Sequence, residues 1–288
     1  MKDILQKTFF GKHNMVKTEK YNKLFTMYKK NSFISRLNSL DDIDIKLYQG
    51  DCLDIMPKLN PESIDCIITD LPYGRTNNIW DTIIPFDQLW ANYERITKKR
   101  CTILLFADGL FMAKLMLSNE NNWKYNLIWD KVLASGFLNA NKQPLRQHEN
   151  IVVFYSDKQP TYNPQKTIGL KNHSTGSRKF ITNNNYNKFE LVDNSDKLGD
   201  MKHPKSILTF QKPHPSVALH PTQKPLDLIE YLVKTYSNEG DTILDNCMGS
   251  GTTGVACRNL HRNFIGIEKD ENYFNMAKKR IIDCYDGK

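Results

Sequence analysis

The 288-residue sequence has no pair of cysteines at metal-ligand or disulfide-scaffold spacing: Cys52, Cys66, Cys101, Cys247, Cys257 and Cys284 are scattered, with no C-x-x-C among them. That excludes a zinc ribbon and a disulfide-stapled scaffold, and reduced thiols in a cytoplasm are the simplest expectation. Long apolar runs are missing too. The most apolar stretch, 101–117, is broken by Asp108 and Lys114 and is too short to span a bilayer, so no membrane partner is expected. The opening residues carry lysines with no apolar run behind them, and no secretory leader is expected. Acidic residues are in the minority: 32 Asp and Glu against 40 Lys and Arg give a formal net charge of +8. A surplus of that sign suits a polyanionic partner such as nucleic acid, and equally suits plain solubility. No repeat stands out, and Asn183-Asn184-Asn185 is too short to be a low-complexity tract.

With 40% hydrophobic and 25% charged residues, the chain is large enough for one α/β domain with a substantial insertion. Residues 1–44 read as a basic arm (Lys2, Lys7, Lys12, Lys17, Lys20, Lys23, Lys29, Lys30) with few small core residues. From Ile45 the texture changes. Ile45–Tyr48 reads as a strand, Leu53, Met56 and Leu59 recur at helical spacing, and Ile64–Thr69 is a short apolar run that stops at Asp70-Leu71-Pro72-Tyr73-Gly74. Strands are expected at 102–106, 127–129 and 151–155, with helices at 86–96 and 109–117. Strands alternating with helices predict a mostly parallel central sheet with helices on both faces. Between 156 and 219 that rhythm gives way to asparagine, lysine, histidine and proline, with ten Lys or Arg against five Asp or Glu. This stretch reads either as a solvated insertion or as a surface that meets a nucleic-acid groove. The rhythm returns in 220–288: a helix with Leu226, Ile229, Leu232, Val233 and Tyr236 on one face, a strand Thr242–Asp245, a glycine turn, a helix to about Leu260, a strand Asn263–Glu268 and a last helix.

The turn, Asp245-Asn246-Cys247-Met248-Gly249-Ser250-Gly251-Thr252-Thr253-Gly254, contains a G-x-G-x-x-G between a strand and a helix. Glycines there let backbone approach a ligand, and Glu268 at the end of the next strand can accept hydrogen bonds from a ribose. A dinucleotide and S-adenosylmethionine both offer that ribose, and a turn serving only tight packing is the third reading. Position separates the first two. Only 34 residues follow Gly254, so the remaining strands are expected upstream, in an order permuted from that of a dehydrogenase. Ligand would then sit at the carboxyl ends of the strands, where Asp245, Glu268 and Asp70 lie.

Asp70-Leu71-Pro72-Tyr73 has a chemical logic for methylating an exocyclic amine. Such an amine is conjugated with its ring and is a poor nucleophile; acceptors on both N–H groups favour a pyramidal nitrogen. The Asp70 carboxylate can take one N–H and the backbone carbonyl at Leu71 or Pro72 the other, while Pro72 stiffens the loop. Tyr73 offers a ring on which an extruded base can stack. In-line approach to a sulfonium methyl then needs no metal and no covalent nucleophile. A lone D-x-P-Y would be an ordinary strand-to-turn connection; the glycine turn gives it weight.

Together these segments resemble the DNA amino-methyltransferases of the β-group order, in which the catalytic motif precedes the target-recognition region and the cofactor motif comes last. The resemblance covers roughly residues 45–284. It implies a Rossmann-like S-adenosylmethionine-dependent methyltransferase fold with permuted motif order: a catalytic half at 45–155, a target-recognition insertion at 156–219 and a cofactor-binding half at 220–288. The family's tetrapeptide is usually D-P-P-Y, so Leu71 departs from it; since the acid, the later carbonyl and the aromatic make the contacts, activity is expected to survive. An acidic first residue is similar to the adenine-N6 members, whereas cytosine-N4 members more often begin with serine. The resemblance further implies cofactor contacts from Asp51 and Cys52 near the adenine ring, and from Thr222, Gln223 and Lys224 near the methionine carboxylate. It adds Asp70, Asp245, Cys247, Gly249, Ser250, Gly251, Thr252, Thr253, Glu268 and Lys269. Arg146-Gln147-His148-Glu149 has a counterpart in the family, and a structural role is expected for it. The implied function is site-specific methylation of adenine N6 in double-stranded DNA by a cytoplasmic enzyme, bacterial or phage-encoded, monomeric or homodimeric, with a cognate restriction endonuclease as an open partner. The alternatives are cytosine-N4 methylation, an amine on RNA or protein, and a non-catalytic DNA-binding protein that retains the fold.

Overall fold

A computed structural model describes residues 43–75, 81–156, 158–169, 201–213 and 223–283. The basic arm up to residue 42, most of the 156–219 insertion and Thr222 lie outside the described residues. The chain divides into Met1–Asp44 and Ile45–Lys288, and the fold described is that of the second unit.

In chain order its elements are β1 (Ile45–Gln49), α1 (Cys52–Ile55) extended by a 3-10 turn, β2 (Ile64–Asp70), α2 (Phe86–Ile96), β3 (Thr97–Ala107), α3 (Gly109–Leu117), β4 (Trp123–Ser135) and β5 (Arg146–Phe154). Then come the short strands β6 (Thr167–Ile168), β7 (Met201–Lys202) and β8 (Ile207–Thr209), followed by α4 (Leu226–Tyr236), β9 (Thr242–Asp245), α5 (Thr252–Asn259), β10 (Asn263–Glu268) and α6 (Glu271–Asp283). Eight strands form one sheet in the order β1-β10-β9-β2-β3-β5-β4-β8. Only β5 runs against its neighbours; the other pairings are parallel. Among the described residues no helix is long and apolar enough to cross a membrane.

Strand side chains alternate between two cores, as the period of 2 requires. Leu104, Phe106, Ile243 and Phe264 join a cluster with Leu228, Leu232, Val255, Ala256, Ala277 and Ile281 from α4, α5 and α6. Leu105, Ala107, Leu244 and Ile265 join the opposite cluster, with Ile55, Leu89, Tyr93, Phe111 and Leu115 from α1, α2 and α3. Burial on both faces explains why these strands read as continuous apolar runs.

The crossovers set the position of the site. From β2 the chain steps through α2 to β3 on one side, and from β9 it steps through α5 to β10 on the other. Right-handed crossovers in opposite directions must lie on opposite faces, so the sheet opens a crevice between β2 and β9 at their carboxyl ends. Asp70 ends β2 and Asp245 ends β9.

Two features differ from the sequence reading. β3, β4 and β5 begin earlier than expected, at Thr97, Trp123 and Arg146, because their first residues are polar or are interrupted by polar ones and form no apolar run. The stretch at 156–219 also supplies β8, paired in parallel with β4 through Ile128–Ile207, Trp129–Leu208 and Asp130–Thr209. Leu208 is buried, and the Trp129 indole donates to the Phe210 carbonyl at 2.7 Å. Three residues between Pro204 and Pro213 are too few for a periodic signal.

Candidate active site

The Asp70–Tyr73 loop leaves β2 with Leu71 only 3% exposed, held in the core beside α1–α3. The residue that departs from the family tetrapeptide therefore anchors the loop by burial. Further along, Asp81 accepts from the backbone N–H groups of Gly74 and Arg75, each at 2.8 Å, and fixes the far side of the loop.

Asp70 is the centre of a polar cluster. Its Oδ2 lies 2.7 Å from Lys224 Nζ, and its Oδ1 accepts from the Tyr73 hydroxyl at 2.9 Å. Glu149, at the start of β5, lies 3.2 Å from the same hydroxyl and 3.5 Å from Lys224 Nζ. The ammonium also stands over the Phe106 ring at 4.7 Å, in cation–π range. Burial pushes the Asp70 carboxyl above the usual range, against the opposing pull of Lys224. Burial alone would lower Lys224, but Asp70 and Glu149 more than compensate and its ammonium is held charged. Burial and the two carboxylates raise the Tyr73 phenol well above its ordinary value, so it remains a proton donor. One face of its ring is stacked on Phe111, 4.8 Å between centroids.

The glycine turn forms the other wall. Glu268 accepts from the backbone N–H of Gly249 at 2.8 Å and of Asp270 at 2.9 Å, through different oxygens. Each oxygen keeps a lone pair for a further donor such as a ribose hydroxyl. Asp245 accepts from Thr253 Oγ1 at 2.6 Å and from the Cys247 N–H at 3.2 Å, and burial raises its carboxyl to about 6. Asp51 caps α1 through the Leu53 N–H at 2.9 Å and pairs with the exposed Lys269 at 2.9 Å.

A cavity of about 300 Å³ joins the two walls. It is bordered by Asp70, Pro72 and Tyr73, by Asp51 and Cys52, by Gln223 and Lys224, and by Asp245, Cys247, Gly249, Ser250, Thr252, Thr253, Glu268 and Lys269. Three of the expected contact residues, Gly251, Ser250 and Thr252, also have a structural part in the turn. Gly251 is not among the bordering residues: with φ +74°, it lies against α6, where an added Cβ would stand 2.9 Å from that of Ala277. Its missing side chain serves helix packing. The hydroxyls of Ser250 and Thr252 are engaged by Arg280, at 3.2 and 2.9 Å, so their side chains brace the turn even though both residues border the cavity. Thr222 lies outside the described residues.

Sequence reading gave Glu149 only a structural role and missed Phe106; both border the cavity. The available signal for Glu149 was the direction of β5. A strand antiparallel to β3 brings its first residues, not its last, to the carboxyl edge of the sheet.

Residues 64–279 match the DNA methylase family, and the chain belongs to it. It is 29% identical over 266 residues to the Type II methyltransferase M2.MboI of Moraxella bovis, covering 83% of this chain and 88% of that one. It is 27% identical over 257 residues to M.HpaI of Haemophilus parainfluenzae, covering 85% and 76%. The crystal structure of the M1.HpyAVI–SAM complex superposes with a TM-score of 0.55 at 25% identity, over 82% of this chain and 99% of that one. The cytosine-N4-specific PvuII DNA methyltransferase, at 13% identity and a TM-score of 0.58, shares the fold.

The chain is thus a DNA amino-methyltransferase. The methyl donor of this family is S-adenosylmethionine, and the described residues fit it. Carboxylates at Asp51, Asp70, Asp245 and Glu268 face a cavity suited to a cationic sulfonium, and Glu268 beside the Cβ-free Gly249 leaves acceptor lone pairs for a ribose.

Proposed function

We propose that this chain methylates N6 of adenine in double-stranded DNA. The observation that carries the reading is the placement of the Asp70 carboxylate, the acidic first residue of the tetrapeptide, in one cavity with the glycine turn. S-adenosylmethionine supplies an electrophilic methyl group there. Asp70 accepts one amine N–H and the carbonyl at Leu71 or Pro72 accepts the other, drawing the nitrogen lone pair out of conjugation with the ring. Tyr73 stacks on the extruded base with the ring face turned from Phe111. Lys224 favours the ionised, accepting form of Asp70 against the effect of burial. Asp51, Cys52, Gln223, Asp245, Cys247, Gly249, Thr253, Glu268 and Lys269 hold the cofactor, and the basic 156–219 insertion meets the DNA target. The enzyme works in the cytoplasm, alone or beside a cognate endonuclease.

Expression in a host free of DNA methylation, followed by mass spectrometry of the nucleosides, tests the base. N6-methyladenine is expected; N4-methylcytosine in its place would transfer the reading to the cytosine enzymes, and neither product would sink it. Asp70→Ala should still take up the cofactor and lose transfer, and retained turnover would remove Asp70 from the chemistry.

A further inference from the structure

The Tyr73 hydroxyl poses a problem of proton counting. Its oxygen lies 2.9 Å from Asp70 Oδ1 and 3.2 Å from Glu149 Oε1, yet a phenol has a single proton to donate. With both carboxylates ionised, only one of these contacts can be a hydrogen bond; with one additional proton, both can. On the opposite side Lys224 serves both carboxylates, at 2.7 Å from Asp70 and 3.5 Å from Glu149. Lys131, also buried, acts electrostatically on Glu149, so the two carboxylates stand among two ammonium groups and are joined to each other through the Tyr73 hydroxyl.

Amine methylation releases one proton. As the nitrogen lone pair bonds to the methyl carbon, the S–C electron pair remains on sulfur and the positive charge passes to nitrogen, which must lose an N–H proton to become neutral. We infer that Glu149 is the final acceptor of that proton, reached from Asp70 through the Tyr73 hydroxyl. Asp70 takes the proton from the nitrogen it is bound to; Tyr73 takes it from Asp70 and gives its own proton to Glu149. Asp70 ends ionised, Tyr73 ends as a phenol and Glu149 ends as a carboxylic acid. The direction follows from the roles: Asp70, 2.7 Å from the ammonium, must return to its ionised form to accept an amine N–H again, whereas Glu149 takes no part in holding the amine. From Glu149 the exit is short, because its own side chain is partly open to solvent, 15% exposed. Glu149 need not touch the substrate; it acts through Tyr73.

The inference rests on Asp70 as the acceptor of the amine proton, which Asp70→Asn tests separately. Single-turnover methylation is measured for the wild type, Glu149→Gln, Tyr73→Phe and the double variant, with cofactor and DNA affinities determined alongside. Each single variant is expected to lose roughly 10²-fold in rate with affinities unchanged, and the double variant no more than the worse single, since both cut one chain. A full rate in either single variant, losses that multiply in the double, or a loss explained by weaker binding would overturn the inference. Infrared difference spectra of the single turnover follow the proton itself. A new carboxylic-acid stretch should shift with ¹³C-glutamate and be absent from Glu149→Gln; a band that shifts only with ¹³C-aspartate, or none, would refute it. Should Glu149→Gln not fold, Tyr73→Phe decides by itself: the band must vanish and the rate must fall. Loss in Asp70→Asn with full activity in Glu149→Gln would sink the relay and leave the proposed function standing.

Discussion

Lys224→Met removes the buried ammonium that lies nearest to two half-buried carboxylates. Its Nζ is 2.7 Å from Asp70 and 3.5 Å from Glu149, and the side chain is only 9% exposed. Methionine fills a similar volume and keeps contact with Phe106 and Trp129, so the change is chiefly one of charge. Removing one partner of a buried ion pair costs about 3–5 kcal/mol, because the other charge is left without compensation. The variant can escape by protonating Asp70, whose carboxyl burial already pushes upward. Without Lys224 the folded-state value rises further above the unfolded one. The folded chain then holds a proton that the unfolded chain releases, and stability grows as pH falls through that window, by up to about 1.4 kcal/mol per pH unit for one proton. Urea unfolding of the cofactor-free protein at about pH 8, 7 and 6, followed by tryptophan fluorescence, measures this. The deficit should be largest at pH 8 and shrink towards pH 6. A variant as stable as the wild type at pH 8, or a deficit that does not change with pH, would refute the view that Lys224 neutralises this cluster.

Gly251→Ala combines a strained positive φ of +74° with a Cβ 2.9 Å from that of Ala277. A loss of about 2–4 kcal/mol in urea unfolding is expected from left-handed strain and overpacking together, and unchanged stability would count against the packing role. Asp245, raised to about 6 by burial, is protonated in part of the cofactor-free molecules near that pH. Its bound proton contributes stability that is fully present below the unfolded value of 3.8 and is lost as pH rises through about 6. A cationic donor in the cavity favours the ionised form, so cofactor binding at pH 6 should release protons and at pH 8 should not. Calorimetry in buffers of different ionisation enthalpy checks this, and heats independent of buffer at pH 6 would contradict it. Glu268→Ala should weaken the cofactor by roughly 1–3 kcal/mol through lost ribose hydrogen bonds, and equal calorimetric affinity would dismiss that contact.

Much of the fold is legible because the sheet is buried on both faces. Ile64–Thr69, Thr102–Phe106 and Thr242–Asp245 are apolar runs with polar ends, and such runs, separated by amphipathic helices, admit few arrangements other than a covered parallel sheet. What escapes notice is the margin. The polar or interrupted starts of β3 and β4 and the three residues of β8 are held by pairing with neighbours far away in sequence, such as Ile128 with Ile207. No local periodicity records a partner that distant.

The same reasoning divides the site. Asp70, Asp245 and Glu268 could be grouped in advance because parallel strands deliver their last residues to one edge, so each motif lies where its apolar run ends. Glu149 precedes its apolar run, Ile151–Phe154, and in a sheet taken as parallel it falls at the wrong edge. A single reversed strand changes that, because β5 enters the sheet where its neighbours leave it. Reversal gives Asp70 a neighbouring carboxylate that no crossover helix has to deliver, and it leaves the hydroxyl of Tyr73 between two acids. The direction of β5 is thus a chemical property of the site as well as a topological one: were the strand parallel, Asp70 would have Lys224 as a partner but no neighbour able to relieve it of a proton.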